Sequence, residues 1–185
     1  DFLGDDNDNQ VTGNGGDDEL IGGNGSDEAV FNGNFANYTF LSSYSALYGL
    51  AVETTDTVGS DGEDTLYQFE GISFNDRSFD LVLGTNSADT LSGLAGDSLY
   101  FGHDDNDYLL DLAGGDDVMF GGDGNDQLQG SGGADEYHGG TGTDQVRYAN
   151  SGSGVTVNLT TGAASGGDAQ GDTFDSIEDL VGSQQ

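Results

Sequence analysis

The sequence predicts an all-β fold: blocks of a parallel, β-helix-like solenoid, with an antiparallel β-hairpin insert. Three observations predict it. The nonapeptide GGDGNDQLQ, Gly121 to Gln129, matches G-G-x-G-x-D-x-U-x at every fixed position, U being a large apolar residue. That period is a repeat signature of parallel β-helices. GSGGADEYH and GGTGTDQVR follow without a gap, from Gly130 to Arg147. An aromatic, alternating stretch after Val30 then breaks the period and reads as a hairpin.

Four regions follow in order. Residues 1–30 form a short repeat block with units GDDNDNQVT, GNGGDDELI and GGNGSDEAV. Its U positions are Val11, Leu20 and Ala29, and its sixth positions Asn9, Asp18 and Asp27. Residues 31–83 form the insert. Tyr38, Phe40 and Ser42 would share one face of a strand, and Leu50 and Val52 one face of its return. The turn is expected near Ser45 to Leu47, with later turn signals at Ser60 to Glu63 and Asn75 to Arg77. The aromatic residues Phe31, Phe35, Tyr38, Phe40, Tyr44 and Tyr48 are read as a local core rather than a binding surface.

Residues 84–147 form the main repeat block. Its U positions are Leu91, Tyr100, Leu109, Met119, Leu128, Tyr137 and Val146. Its sixth positions are Asp89, Ser98, Asp107, Asp117, Asp126, Asp135 and Asp144, so only Ser98 departs from the pattern. Asp111 is one residue too many and predicts a bulge. Residues 148–185 carry the alternating strand VTVNL and a tail that reads as the approach to a further repeat block. A second repeat is visible here. Asp64-Thr65-Leu66-x-x-Phe69-Glu70-x-Ile72 matches Asp172-Thr173-Phe174-x-x-Ile177-Glu178-x-Leu180, so both non-repeat regions close on one phrase. The chain is expected to be a piece of a protein that alternates such blocks with inserts.

The chain has 185 residues, 35 acidic side chains and a net charge of -33; its two basic residues are Arg77 and Arg147. Such charge ordinarily predicts disorder, but aromatics reach 10% and the carboxylates recur at fixed positions. Two carboxylates about 5 Å apart repel by roughly 0.8 kcal/mol even at the dielectric constant of water. Stacked rows of them need a cation. Nucleic acid is excluded as a partner because a basic footprint is missing. Cys is absent, so disulfides contribute nothing, and no apolar run approaches the ~18 residues of a membrane-spanning helix.

Each unit serves as half a turn of the coil. G-G-x-G-x-D makes a bend that visits positive φ, which costs glycine little, and x-U-x makes a short strand. Burying one U side chain contributes about 1.5–3 kcal/mol. Unit n then stacks on unit n+2, and the bends form two columns. Two sixth-position carboxylates and bend carbonyls face each gap. That donor set suits Ca²⁺, which takes six to eight oxygens at about 2.3–2.6 Å, better than the tighter, water-retaining Mg²⁺. With no Cys and two His, transition metals are disfavoured.

These units resemble the RTX (repeat-in-toxin) nonapeptides. The resemblance implies a parallel β-roll with calcium between successive bends, type I secretion into calcium-rich surroundings, and a chain disordered without calcium. Carried over, the ligand positions are Asp89, Asp107, Asp126 and Asp144 in one column. Ser98, Asp117 and Asp135 form the other, where the Asp117–Asp135 gap should bind well and the Ser98 gap weakly unless Asp97 substitutes. In the short block Asn9 and Asp27 flank one gap, with Asp18 in the other column. Backbone oxygens at the third and fifth positions, such as Asp123 and Asn125, would complete the shells, and Asp6, Gly13, Gly22, Asn24, Asp104, Gly132 and Thr141 are named as further ligands. About five to eight ions are expected.

An EF-hand loop is absent, as are G-x-S-x-G and H-E-x-x-H. No catalytic residue is therefore assigned. His103 and His138 lack a partner motif and are expected at the surface. The sequons at Asn37 and Asn158 are read as incidental. The functional expectation is an extracellular, calcium-rigidified segment of a bacterial adhesin stalk, surface layer or filament. Such a segment would fold on calcium binding outside the cell and could associate head to tail with its neighbours. The alternative is an accessory domain of a secreted protease, lipase or polysaccharide-modifying enzyme, aiding export or binding polysaccharide through calcium. A toxin repeat domain ranks third.

Overall fold

The computed structural model describes residues 1–45 and 47–184, and the chain divides into two compact units, Asp1–Leu81 and Val82–Gln185. A glycine bend every nine residues leaves room for only very short strands between bends. In the first unit these are β1 (Phe2–Leu3), β2 (Gln10–Val11), β3 (Glu19–Ile21) and β4 (Glu28–Val30). β1 pairs with β3 and β2 with β4, all parallel, with Val11 opposite Ala29. Alternate units therefore stack, and the U residues Val11, Leu20 and Ala29 are buried.

A single 3₁₀ turn at Phe35–Asn37 leads into an antiparallel hairpin, β5 (Tyr38–Ser45) and β6 (Gly49–Asp56). Phe40 lies opposite Thr54, and Ser42 opposite Val52. The expected turn includes Ala46, which lies outside the described residues. β7 (Glu63–Tyr67) pairs antiparallel with β6 and parallel with β3, setting Leu66 opposite Leu20. β8 (Gly71–Ser73) runs parallel to β4, with Ile72 opposite Ala29, and antiparallel to β9 (Ser78–Leu83). Phe31, Phe35, Tyr38, Phe40, Phe74 and Phe79 pack as a cluster, with Phe31 stacked on Phe74 at 5.6 Å. The Arg77 guanidinium covers Phe79 at 4.5 Å. These rings thus form a local core, while Tyr48 packs on Tyr67 at 5.2 Å and the Tyr44 side chain lies outside what the structure describes.

The second unit repeats the scheme at greater length. One sheet holds β10 (Thr90–Ser92), β12 (Tyr108–Leu110), β14 (Gln127–Gln129), β16 (Gln145–Arg147) and β20 (Asp179–Val181) in that order, all parallel. The facing set pairs β11 (Ser98–Asp104) with β13 (Val118–Gly124), β13 with β15 (Glu136–Gly142), and β15 with β19 (Thr173–Asp175). Between them lies a core of Tyr100, Leu109, Met119, Leu128, Tyr137 and Val146, with Phe174 and Leu180 packed against it. Most of the U positions are therefore fully buried. β17 (Thr156–Asn158) pairs antiparallel with β18 (Ala163–Ser165), and Val155 and Val157 pack on the same core.

Two local expectations are corrected. The extra Asp111 makes no bulge within a strand. It sits in the connection after β12, where its N–H donates to Gln129 O at 2.8 Å, and the ladder spacing lengthens from 18 to 19 residues across it. His103 is not a surface residue: it is 6% exposed. It occupies a second-position glycine site at φ +81 and pairs with Gly122 of the next turn, so the stacked bends bury it. His138 is half-buried and stacks on Phe120 at 4.6 Å, extending the Phe101–Phe120 stack.

Candidate metal centre

The sixth-position residues line up as the period requires. A carboxylate with a turn stacked before it accepts the backbone N–H of the sixth residue one turn earlier; Asp89, first in its column, accepts Thr85 N–H and Thr85 Oγ1 instead. In one column of the second unit Asp89 N–H donates to Asp107 Oδ1, Asp107 to Asp126 and Asp126 to Asp144, each at 2.8 Å. In the other column Ser98 N–H donates to Asp117 Oδ1 at 2.9 Å and Asp117 N–H to Asp135 Oδ1 at 3.0 Å. In the first unit Asn9 N–H donates to Asp27 Oδ1 at 2.7 Å. One carboxylate oxygen per residue is thereby fixed in place, which sets the direction of the other.

That other oxygen decides the chemistry. Oδ2 of Asp27, Asp107, Asp117, Asp126 and Asp144 is buried without any hydrogen-bond partner. An unpaired buried carboxylate oxygen is costly. Its neighbours are further oxygens. A methyl group built on Gly121 would lie 2.6 Å from Gly139 O and would also strike Asp126 Oδ2. The same test on Gly84 meets Gly102 O at 2.6 Å and Asp89 Oδ2 at 3.2 Å, and on Gly22 meets Asp27 Oδ2 at 2.9 Å. On Gly13 it meets Oδ2 of both Asp18 and Asp64 at 3.2 Å. The first glycine of a unit is thus kept bare beside converging acceptors. Among the described residues no group of three His, Cys, Asp or Glu converges as a metal cluster. Each gap instead combines carboxylates with backbone carbonyls, an all-oxygen donor set that fits Ca²⁺.

Burial raises the carboxyl pKa values, and neighbouring carboxylates add to it. Asp107 is pushed up to about 7 and Asp126 to about 6. Asp135 reaches about 7 and Asp172 and Asp64 about 6. Asp117 and Asp144 are raised by the same burial. These groups hold their negative charge at a cost that a bound cation would remove.

The two columns of the second unit differ. At Gly93 a methyl group would strike the Tyr100 hydroxyl, and at Gly130 the Tyr137 hydroxyl. Tyr137 Oη donates to Asp135 Oδ2 at 3.2 Å, Tyr100 Oη to Asp111 Oδ2 at 3.1 Å and Tyr148 Oη to Asp172 Oδ2 at 2.6 Å. In the Asp107 column the U residues are Leu91, Leu109, Leu128 and Val146, which carry no polar tip.

The remaining predicted ligands are placed as follows. Asp104, Asp123 and Thr141 pair in register along β11, β13 and β15, and Thr141 Oγ1 donates to Asp123 Oδ1 at 2.7 Å. Asn24 Nδ2 donates to Asp6 Oδ1 at 2.7 Å. Asn125 Oδ1 accepts Thr143 N–H at 2.9 Å. A methyl group on Gly132 would meet nothing. Asp97 Oδ1 accepts Asp116 N–H at 2.9 Å. The carbonyls brought beside the orphaned oxygens belong to first-position residues of the next turn, Gly121 O beside Asp107 Oδ2 and Gly139 O beside Asp126 Oδ2. Sequence reasoning also missed Asp64, Glu70, Asp172 and Glu178, which accept N–H groups of Asp18, Asp27, Asp135 and Asp144. The repeated nine-residue phrase was the signal that pointed to them.

Among known proteins, a family model described as the RTX calcium-binding nonapeptide repeat (4 copies) matches residues 2–29, 78–110 and 113–146, just over half of the chain. No curated protein matches the chain. The crystal structure of the extracellular lipase LipA from Serratia marcescens is similar at 20% identity and a TM-score of 0.40. That match covers 97% of this chain and 37% of the lipase chain, so the chain spans well under half of the lipase's length. The nonapeptide match and the stacked bends together place this chain in the RTX calcium-binding nonapeptide repeat family.

Proposed function

We propose that this chain is a calcium-dependent scaffold segment of a secreted or cell-surface bacterial protein, unfolded at low calcium and folded outside the cell. The observation that carries the reading is the row of buried carboxylate oxygens without partners, Asp27, Asp107, Asp117, Asp126 and Asp144. RTX repeats bind calcium in general, and here the Asp89, Asp107, Asp126 and Asp144 column supplies the principal ligands. Asp27 with Asn9, and Asp18 with Asp64, serve the short block. Calcium would neutralise only part of a charge of -33, so the segment stays soluble and self-repelling at its surface. Its role is mechanical and spacing-related, in an adhesin stalk, surface layer or filament, with no catalysis of its own. Export by the type I route fits a chain that stays unfolded until it meets calcium.

Extracellular modules bind calcium at about 0.1–1 mM. Circular dichroism at neutral pH should therefore show strand signal appearing over that range and vanishing in EGTA. A strand signal that persists unchanged in EGTA would sink the reading. Light scattering on the folded sample tests the scaffold role, with calcium-dependent oligomers or filaments expected. A monomer at all calcium concentrations, joined in the parent protein to a catalytic domain, would favour the accessory-domain alternative.

A further inference from the structure

Asp111, inserted between two nonapeptides, takes over a position that the other turns reserve for glycine. Gly84 N–H donates at 2.8 Å to Phe101 O, the residue before the first-position Gly102 of the next turn. Asp111 N–H donates in the same way at 2.8 Å to Gln129 O, the residue before Gly130. In the ladder Asp111 therefore stands between Gly93 and Gly130. Leu112, the first residue of its nonapeptide by sequence, is left at the surface, 59% exposed. The backbone does not ask for glycine here, since neither Asp111 nor Gly102, Gly121 and Gly130 has a positive φ. Room is what the position lacks. A methyl group on Gly102 would strike Asp107 Oδ2 and Gly121 O, and one on Gly121 would strike Asp126 Oδ2 and lie 2.6 Å from Gly139 O. A side chain at this position thus points at the sixth-position carboxylate of its own turn and at the first-position carbonyl of the next.

For Asp111 those groups are Asp117 Oδ2 and the Gly130 carbonyl. Asp111 and Asp117 are both 0% exposed. Asp111 Oδ1 accepts Ala113 N–H at 2.6 Å, and its Oδ2 accepts the Tyr100 hydroxyl at 3.1 Å. These two donors fix the carboxyl group and leave each oxygen a further lone pair. Asp117 Oδ1 is taken by Ser98 N–H at 2.9 Å, and its Oδ2 has no partner. The U residue of this turn is Met119, so no phenol closes that oxygen as Tyr137 closes Asp135. Burial raises the Asp117 pKa, and the charge of Asp111 adds more to the rise than that of Asp135, as befits the nearer carboxylate. The two arginines of the chain are engaged elsewhere, Arg77 over Phe79 and Arg147 with Gln127 and Gln145. Two buried carboxyl groups thus lie side by side with no protein cation to pair them.

We propose that Asp111, Asp117 Oδ2 and the Gly130 carbonyl form a calcium site in which a side chain stands in for the bare glycine of the other turns, so that the inserted residue is a ligand and not a spacer. The inference rests on the calcium reading proposed above. Ser98 brings this column a hydroxyl where its neighbours bring a carboxylate, and Asp111 restores the missing charge. Asp97 does not, because its carboxylate accepts Asp116 N–H. Oxygen sites bind calcium more tightly as the charge and rigidity of their ligands increase, and both carboxylates here are charged ligands held by hydrogen bonds. The opposing reading is a plug, with the Asp111 carboxyl group filling the slot and keeping the ion out.

Isothermal titration calorimetry with calcium on the full chain separates the two, run beside Asp111→Asn, Asp111→Gly and Asp126→Asn. Asparagine keeps the shape and an oxygen for the Tyr100 hydroxyl but removes the charge. Glycine restores the residue of the neighbouring turns. Both Asp111 variants are expected to lose one ion or to bind one ion about tenfold more weakly, since even the partners of metal ligands are worth that much, with strand signal retained at saturating calcium. Unchanged stoichiometry and affinity in both variants overturn the site, and so does an ion gained in Asp111→Gly, the mark of a plug. A loss in Asp126→Asn alone then leaves the ladder standing. A parent chain that binds no calcium overturns the reading on which the inference rests. Should Asp111→Asn fail to fold, Asp111→Gly decides, because Gly93 and Gly130 already occupy that position in the turns on either side.

Discussion

The two columns of bends in the second unit share a backbone plan and differ in what fills it. In the Asp107–Asp126–Asp144 column every one of those carboxylates keeps a buried, unpartnered Oδ2. In the facing column Asp135 and Asp172 spend that oxygen on tyrosine hydroxyls, and only Asp117 retains an orphan. Part of the difference comes from the U positions, which place leucine and valine behind one column and Tyr100 and Tyr137 behind the other; the donor to Asp172, Tyr148, comes from just after the repeats. A phenol is long enough to cross the thin core and donate a hydrogen bond into the bend. A buried carboxylate here can be satisfied by a neutral donor, from two residues on as Tyr137 does for Asp135, or from a distant segment as Tyr148 does for Asp172.

The largest test asks whether burial is common to both columns. Asp107 and Asp135 titrate near 7 and Asp126 and Asp172 near 6 in the fold, against 3.8 for an ordinary aspartate. The folded chain therefore binds more protons than the unfolded chain between pH 3.8 and about 7. In EGTA this contribution to stability is fully present below 3.8 and lost as pH rises through 6 to 7. Circular dichroism in EGTA should show strand signal absent at pH 8 and growing as the pH falls below 6. An acid titration that leaves the calcium-free chain unstructured would break the argument for both columns.

A smaller effect separates the columns. Asp126 serves the gaps on both sides, so Asp126→Asn should raise the calcium midpoint of folding by about tenfold, equivalent to about 1.4 kcal/mol. Asp135→Asn should move it by much less, since Tyr137 already satisfies that carboxylate. Equal shifts would erase the distinction. The smallest change is Tyr137→Phe, which leaves Asp135 Oδ2 without its donor. One additional calcium should bind, with stability at saturating calcium within about 1 kcal/mol of the parent. A loss of stability without an added ion would show that the column stays closed even when the phenol is removed.

The sequence made the period legible, and with it the buried U rows and the alignment of the sixth positions, because a nonapeptide is short enough to read locally. Three features escaped it. Tyr100 and Tyr137 read as apolar filler, since the reach of a hydroxyl across the core depends on the spacing of two sheets. Glu70 and Glu178 were visible within a repeated phrase, but their partners lie 43 and 34 residues away. His103 read as exposed because it sits in a bend, and bends are exposed only until another bend stacks on them.

The ladder spacing also bears on what the array can carry. Within the repeats, consecutive rungs are 18 or 19 residues apart, yet the closing rungs bridge 34, 37, 43 and 46 residues with the same hydrogen bond. Closing a 43-residue loop in place of an 18-residue one costs only roughly 0.8 kcal/mol more. The chain can leave one turn, build a hairpin of its own and rejoin the next at almost no entropic penalty. The roll then acts as a spine on which excursions of different length and chemistry can hang. Each excursion is free to diverge, because the spine recognises only the few residues at which it returns.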